Sequence, residues 1–388
     1  MFPLKVSFLN FVKIFLILPV LIFFCLVSCS RTDSKKNEIN SLQSDSTSEK
    51  KNIKEKNISD SLVCIIGVGD IMLGSNYPSE NSLPPDDGRF LLDSVKDIPD
   101  NADIVFGNLE GTFLNDGGVP KRCNTPEHCY SFRTPESYCE ILKEAGFNLV
   151  SLANNHSNDM GNEGRESTIR TLEINSILFA GYSELPFTIF NKNGIKFGFT
   201  AFAPNYSAQN MNNLTNAAKV VRDLKEKCDI VIVSFHGGAE GSNAVLVPKR
   251  REIFLNEDRG DVYEFAHEVI NAGADIVFGS GPHVPRALEL YKNKIIAYSL
   301  GNFCTYGKFS IYGKQGIAPL LKVYMDKKGN FVKGNIHSYR QTGGGYPVPD
   351  PELSAALLIK DLTEKDFPDT ELFINEKGEI IKTGEVIE

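Results

Sequence analysis

ADIVFG occupies residues 102–107 and occurs again at residues 274–279. The first copy runs on into NLEG and the second into SGPH. A third stretch, CDIVIVSFHGG from Cys228, has the same build: a small residue, Asp, an apolar run, then polar groups beside glycine. Apolar runs of this length that stop at glycine read as fully buried strands. LVCIIGVGD, ending at Asp70, and NLVSLANNHSND, reaching Asn154, Asn155 and His156, belong to the same set. Between them PESYCEILKEAGF, NAAKVVRDLKEKC and DVYEFAHEVINAGA carry apolar residues at helical spacing. This alternation predicts an α/β fold with a buried, largely parallel sheet. A six-residue identity is too short to establish an internal duplication; it reads as two equivalent strands meeting one packing demand.

Ligands of such sheets bind beyond the carboxyl ends of the strands. The groups delivered there are Asp70, Asn108, Glu110, Asn155, His156, Asp159, His236, Glu240 and His283. Carboxylate, amide oxygen and imidazole together suit Zn, Mn, Fe or Mg rather than a thiolate-bound metal. The chain has six histidines, and those at strand ends are the candidates. His267 in a helix, His128 in a cysteine-containing loop and His337 in a strand-like segment read as structural.

The formal net charge of −8 argues against a nucleic-acid partner. Lys5 and Lys13 flank the start of the chain, and Ile14 to Val27 is an apolar run, short for a membrane span and suited to a signal peptide. Leu26-Val27-Ser28-Cys29 resembles a bacterial lipobox, which implies a lipidated Cys29 after a signal peptide at 1–28; an uncleaved anchor or an ordinary signal peptide are the alternatives. Residues 29–61 have no aromatic residue and many Ser, Asn and Lys, so they read as a disordered, lipid-anchored tether. The expected location is the cell envelope, anchored outside the cytoplasmic membrane. There Cys123 and Cys129, in RCNTPEHCY, are expected to form a local disulfide; a zinc site is the weaker reading, because no second cysteine pair is near. Cys64, Cys139, Cys228 and Cys304 sit in apolar contexts and read as small hydrophobes.

GDIMLG (69–74), GNLEGTF (107–113), SLANNHSNDMG (151–161), SFHGGAEG (234–241) and GPHVPRALELYKNKIIAYSLGNF (281–303) resemble the CapA family of capsule-synthesis and poly-γ-glutamate biosynthesis proteins, within the calcineurin-like metallophosphoesterase superfamily. The resemblance covers residues 62–345 and implies a four-layer αββα, metallophosphatase-like sandwich with its metal site at the sheet rim. Residues 346–388 are left as a C-terminal extension without a role, containing a helix at AALLIKDL and a hairpin at ELFINEKGEIIK.

The carry-over is incomplete. Where the superfamily has Asp-x-His, this chain has Asp70-Ile71-Met72. Where it has Gly-Asp, this chain has Gly107-Asn108, and Ser280 stands where relatives often have His. A full two-metal centre needs a bridging group, so one ion, a weakly held second, or none are all open. The resemblance implies Asp70, Glu110, Asn155, His236 and His283 as ligands of a divalent metal (Mn, Zn, Fe or Mg), one or two ions. His156, with Asp159 nearby, would protonate the leaving group. Arg251 and Arg286 would clamp an anionic substrate, a surface side chain being the alternative for each, and Asn302 would line the pocket or serve a turn after its strand. Two function classes follow: a metal-dependent hydrolase or transferase on phosphoester or γ-glutamyl bonds, or a non-catalytic envelope subunit assisting polymer synthesis, export or anchoring. The expected partners are the membrane, an anionic polymer and other polymer-synthesis proteins.

Overall fold

The computed structural model describes residues 62–97, 99–122 and 129–384. The expected signal peptide and tether, with Cys29, and Cys123, with the pairing expected of it, lie outside the described residues. The five apolar runs form the strands Val63–Met72, Ile104–Leu109, Leu149–Ser151, Ile230–His236 and Ile276–Ser280. Every residue in them is buried. Burial on both faces is the reason they read as continuous apolar runs without alternation.

The strands divide between two large sheets, as the αββα resemblance implies, where the strand–helix alternation alone predicts one. Among the described residues a 10-stranded sheet runs Leu372–Ile374, Glu379–Lys382, Phe331–Thr342, Ile317–Met325, Val63–Met72, Ile104–Leu109, Leu149–Ser151, Leu178–Ala180. Asn302–Thr305 pairs off this path with Val63–Met72, and Tyr346–Pro349 with Phe331–Thr342. A 6-stranded sheet runs Leu288–Tyr291, Lys294–Ala297, Ile276–Ser280, Ile230–His236, Ile195–Phe202, Phe187–Lys192. The site-bearing strands pair in parallel within each sheet. The flanks are antiparallel, because short turns join Ile317–Met325 to Phe331–Thr342 and Phe187–Lys192 to Ile195–Phe202.

Successive strand residues face opposite ways, and this builds the layers. Ile65, Ile104, Phe106 and Leu321 of the first sheet meet Phe199, Ile232, Ile276 and Phe278 of the second in one core. Val68, Val105 and Val150 turn outward onto Leu142 of helix Cys139–Glu144 and Leu172 of helix Gly161–Ile174. On the far side Val233 and Val277 meet Val221 of helix Leu214–Lys225 and Phe265 and Val269 of helix Val262–Ala272. The result is a four-layer αββα sandwich. The last of these helices starts where Asp261 accepts a hydrogen bond from Glu264 N and stops at Gly273, at φ 119°.

The boundary at residue 345 is corrected. Tyr346–Pro349 extends the first sheet, and the hairpin Leu372–Ile374/Glu379–Lys382 closes its edge. Helix Ser354–Asp366 places Ala355, Ala356 and Ile359 in the core between the sheets. The segment is integral because the Phe331–Thr342 strand would otherwise end the sheet as a long unpaired edge. The four cysteines at 64, 139, 228 and 304 are free and buried, and burial pushes the Cys139 thiol up to about 12.

Candidate metal centre

Both sheets point their carboxyl ends at one rim. The first delivers Asp70, Asn108 and Glu110, with Asn154, Asn155 and His156 after Leu149–Ser151. The second delivers His236, Ser280 and His283. Gly69 allows the closest approach. A Cβ there would run into the Gly301 carbonyl, and without one Asp70 N donates to Gly301 O at 2.9 Å, setting Asp70 beside Asn302 in register.

Glu110 is the hub. It is fully buried; as a carboxylate neither oxygen has a hydrogen-bond partner, and only when protonated does it bond to Asp70. Its Oε1 lies 4.0 Å from His156 Nε2, 4.0 Å from His236 Nε2 and 3.8 Å from His283 Nε2. Burial, with the Asp70 charge next, holds its carboxyl well above the usual carboxylate range. Ligand atoms of Asp70, Glu110 and His236 all lie within 4.8 Å of one another. His236 Nε2 and Asn155 Oδ1 are likewise buried without a partner. Orphaned acceptors of this kind cost several kcal/mol unless something satisfies them. A carboxylate, amide and imidazole donor set fits a divalent cation.

The residues that depart from the superfamily pattern have structural work here. Asn108 Nδ2 donates to Asp70 Oδ1 at 2.8 Å, and its Oδ1 accepts from Asn154 Nδ2 at 3.1 Å. His236 Nδ1 is 3.1 Å from Ser280 Oγ, which itself donates to the Phe235 carbonyl at 3.3 Å. Held by Nδ1, the ring turns Nε2 toward Glu110. Burial, and then the Arg259 charge, keeps His236 well below the ordinary histidine value. His283 Nδ1 lies 2.9 Å from Asp70 Oδ2 and 3.1 Å from Asn302 Oδ1. Burial opposes its protonation, but the Glu110 charge and the bond to Asp70 prevail and push it up to about 10. Asn302 therefore orients a histidine from behind instead of lining the pocket.

His156 and Asp159 form a pair. Asp159 Oδ2 lies 2.7 Å from His156 Nδ1 and accepts from Phe132 N at 2.6 Å. Lys121, outside every motif of the sequence, sets its Nζ 2.7 Å from Asp159 Oδ1 and 3.0 Å from the Asn155 carbonyl. It lies 35 residues upstream of His156 on an irregular segment, so no local pattern marks it. Phe132 stacks on the imidazole at 4.1 Å, and Phe309 stands 5.1 Å from His283. Burial is the main reason His156 sits below the ordinary histidine value.

The two arginines stand apart from the cluster. Arg286 is fully buried and spent on structure: Nη1 and Nη2 each donate to Glu252 at 2.8 Å, and Nε donates to the Ala244 carbonyl at 2.7 Å. Its role as a substrate clamp is corrected on that ground. Arg251 is exposed and paired with Asp258 at 2.9 Å; with Arg250 and Asn243 it lines a separate cavity of about 310 Å³.

Fold and site together define an αββα-sandwich protein with a buried carboxylate–imidazole centre on the rim that its two sheets share. Residues 64–306 match the family described as bacterial capsule synthesis protein PGA_cap, and the chain belongs to it. It is 30% identical over 255 residues to the capsule biosynthesis protein CapA of Bacillus anthracis, covering 61% of this chain and 58% of that one. To the PGA biosynthesis protein CapA of Bacillus subtilis (strain 168) it is 29% identical over 329 residues, covering 80% of each. Among solved structures it is similar to a 5′-nucleotidase precursor from Thermus thermophilus, with a TM-score of 0.39, 13% identity, and 77% of this chain and 58% of that one covered.

Proposed function

We propose that the chain acts at the cell envelope in capsule or poly-γ-glutamate biosynthesis, as a metal-dependent hydrolase or transferase on phosphoester or γ-glutamyl bonds. One observation carries the reading: a fully buried glutamate that as a carboxylate has no hydrogen bond to either oxygen, faced by the Nε2 atoms of three histidines. Asp70, Glu110, Asn155, His236 and His283 would hold the cation, which supplies Lewis acidity and a lowered pKa for water. The protein's own part is proton handling and exclusion of solvent. Asp159 fixes the Nδ1 proton of His156, so Nε2 takes up a proton and returns it to the leaving group. Phe132 and Phe309 keep bulk water from these imidazoles.

A lipid on Cys29 would tether the domain to a membrane of the cell envelope, outside the cytoplasm, within reach of an anionic polymer or other polymer-synthesis proteins. The second reading, a non-catalytic envelope subunit, draws on the complete burial of Asp70, Glu110 and His236. Metal analysis of the purified full chain, followed by turnover assays on phosphodiesters and γ-glutamyl peptides, separates the two. Bound metal with turnover supports the enzyme. Metal-free protein inert to both substrates supports the subunit.

A further inference from the structure

Arg259 has no part in the roles above, yet it is pinned to the centre. Gly238 N, two residues beyond His236, donates to the Arg259 carbonyl at 2.8 Å. The side chain is 2% exposed. Its Nη1 lies 2.7 Å from Glu240 Oε1, while Nε and Nη2 are buried with no hydrogen-bond partner. Those two nitrogens form one edge of the guanidinium plane, the fork that matches a carboxylate or phosphoryl group in two parallel bonds. A buried guanidinium with that edge empty is costly.

Glu240 links this arginine to the centre, since its other oxygen, Oε2, lies 3.9 Å from His283 Nε2. It is also the freer partner. Its side chain is 20% exposed. It stands between Gly238 and Gly241, at φ +85° and +105°, and a Cβ at Gly241 would meet nothing within 4 Å.

We propose that Arg259 is the anion-recognition residue of this centre, taking a carboxylate or phosphoryl group of the substrate on its Nε–Nη2 edge, and that Glu240, held on Nη1 with Glu257 farther off at 3.9 Å, is the neighbouring anion whose charge opposes the ligand. The inference rests on the cluster being a substrate site. It adds the substrate's chemical class, an oxyanion placed beside the reacting bond, and the residue that selects it.

The test is calorimetric titration of the full chain, purified in detergent, with sodium phosphate and separately with glutarate, each with and without chelator. Metal content is measured in parallel. Expected is binding of at least one anion to the wild type, the better one naming the group recognised. Arg259→Gln should weaken it about tenfold or more, the usual scale for a charged hydrogen-bonded pair, at unchanged metal content. Glu240→Ala, at a partly exposed position, should bind the same anion more tightly because the opposing charge is gone. That variant carries the test if Arg259→Gln does not fold. The proposal is overturned if neither anion binds the wild type, if Arg259→Gln binds as the wild type does, or if Glu240→Ala binds no tighter. Anion binding that depends on Arg259 in protein without metal would sink the metal reading alone. Retained metal with binding indifferent to Arg259 would sink this inference alone.

Discussion

Phe106 and Phe278, the fifth residues of the two ADIVFG copies, stack across the interior with ring centroids 5.1 Å apart and planes 11° apart. The correspondence extends along both hexapeptides. Asp103 Oδ2 accepts from Cys64 N at 2.9 Å, and Asp275 Oδ2 accepts from Val231 N at 2.8 Å, each tying down the start of the neighbouring strand. Ile104 and Ile276 face the core between the sheets, whereas Val105 and Val277 face the outer helices. The repeated sequence thus marks the matching strand of each sheet, and the two strands meet at their phenylalanines.

This pair should be coupled energetically. Phe106→Ala and Phe278→Ala are each expected to cost about 3–5 kcal/mol through lost burial and the cavity left. The double variant should cost less than the sum by about 0.5–1.5 kcal/mol, the extra worth of an aromatic pair. Urea unfolding of the four proteins measures this, and strict additivity would contradict the coupling.

The C-terminal segment should prove indispensable. Ile359 is completely buried between the sheets, so Ile359→Ala should cost about 2–5 kcal/mol. A chain ending at Gly345 should lack a cooperative transition altogether. A truncated protein that unfolds with wild-type midpoint would refute this placement.

The legible parts of the sequence were those under one strong constraint. Buried strands must be apolar throughout and stop before polar groups, so the five site-bearing strands and the residues at their ends could be read directly. Division into two sheets was not visible in the local pattern, because ADIVFG is buried on both faces whichever sheet holds it. The resemblance supplied the four layers instead. The C-terminal helix and hairpin were legible, but their place in the fold was not, because the short strands Leu372–Ile374 and Glu379–Lys382 show a half-exposed pattern that differs little from a peripheral hairpin. Arg286 misled for a different reason: an arginine beside a histidine motif looks the same in sequence whether it faces a substrate or a buried Glu252. Lys121 and Arg259 reach the centre through long-range contacts that leave no periodic trace.

Removing metal should be felt as lost stability. A ligand that binds only the folded state adds RT ln(1 + [L]/Kd), about 2.7 kcal/mol at a hundredfold excess over Kd. Chelator should therefore lower the melting temperature of the wild type. His236→Ala should lower both metal content and melting temperature in metal-containing buffer, and the two proteins should melt much closer together once stripped. A melting temperature that ignores chelator, in protein that takes up no first-row ion, would exclude the metal reading.

Anchoring is separable from the fold. Cys29→Ala should leave an unprocessed precursor or release the protein from membranes, with the melting transition of the domain unchanged. Fractionation into detergent and aqueous phases reports the outcome, and a variant that is processed and partitions as the wild type does would reject lipidation at Cys29.

The His156–Asp159 pair offers the sharpest separation of chemistry from binding. His156 reaches the centre through Nε2, 4.0 Å from Glu110 Oε1, and is held through Nδ1, 2.7 Å from Asp159 Oδ2. If it handles the proton, His156→Ala should lower turnover by about 10²–10⁴-fold, the usual worth of a general acid or base. Metal content should survive, since Asp70, Glu110 and His236 remain. Asp159→Asn should act through the imidazole: an amide offers no charge to the Nδ1 proton and leaves the Lys121 ammonium, now 2.7 Å from Asp159 Oδ1, without its counter-ion. It should therefore reduce kcat more than it raises KM, again with metal retained. Combining the two changes should cost little beyond His156→Ala alone, because residues that act as a unit are not additive. Two independent, multiplying losses would show that Asp159 serves the Phe132 backbone and Lys121 rather than the histidine.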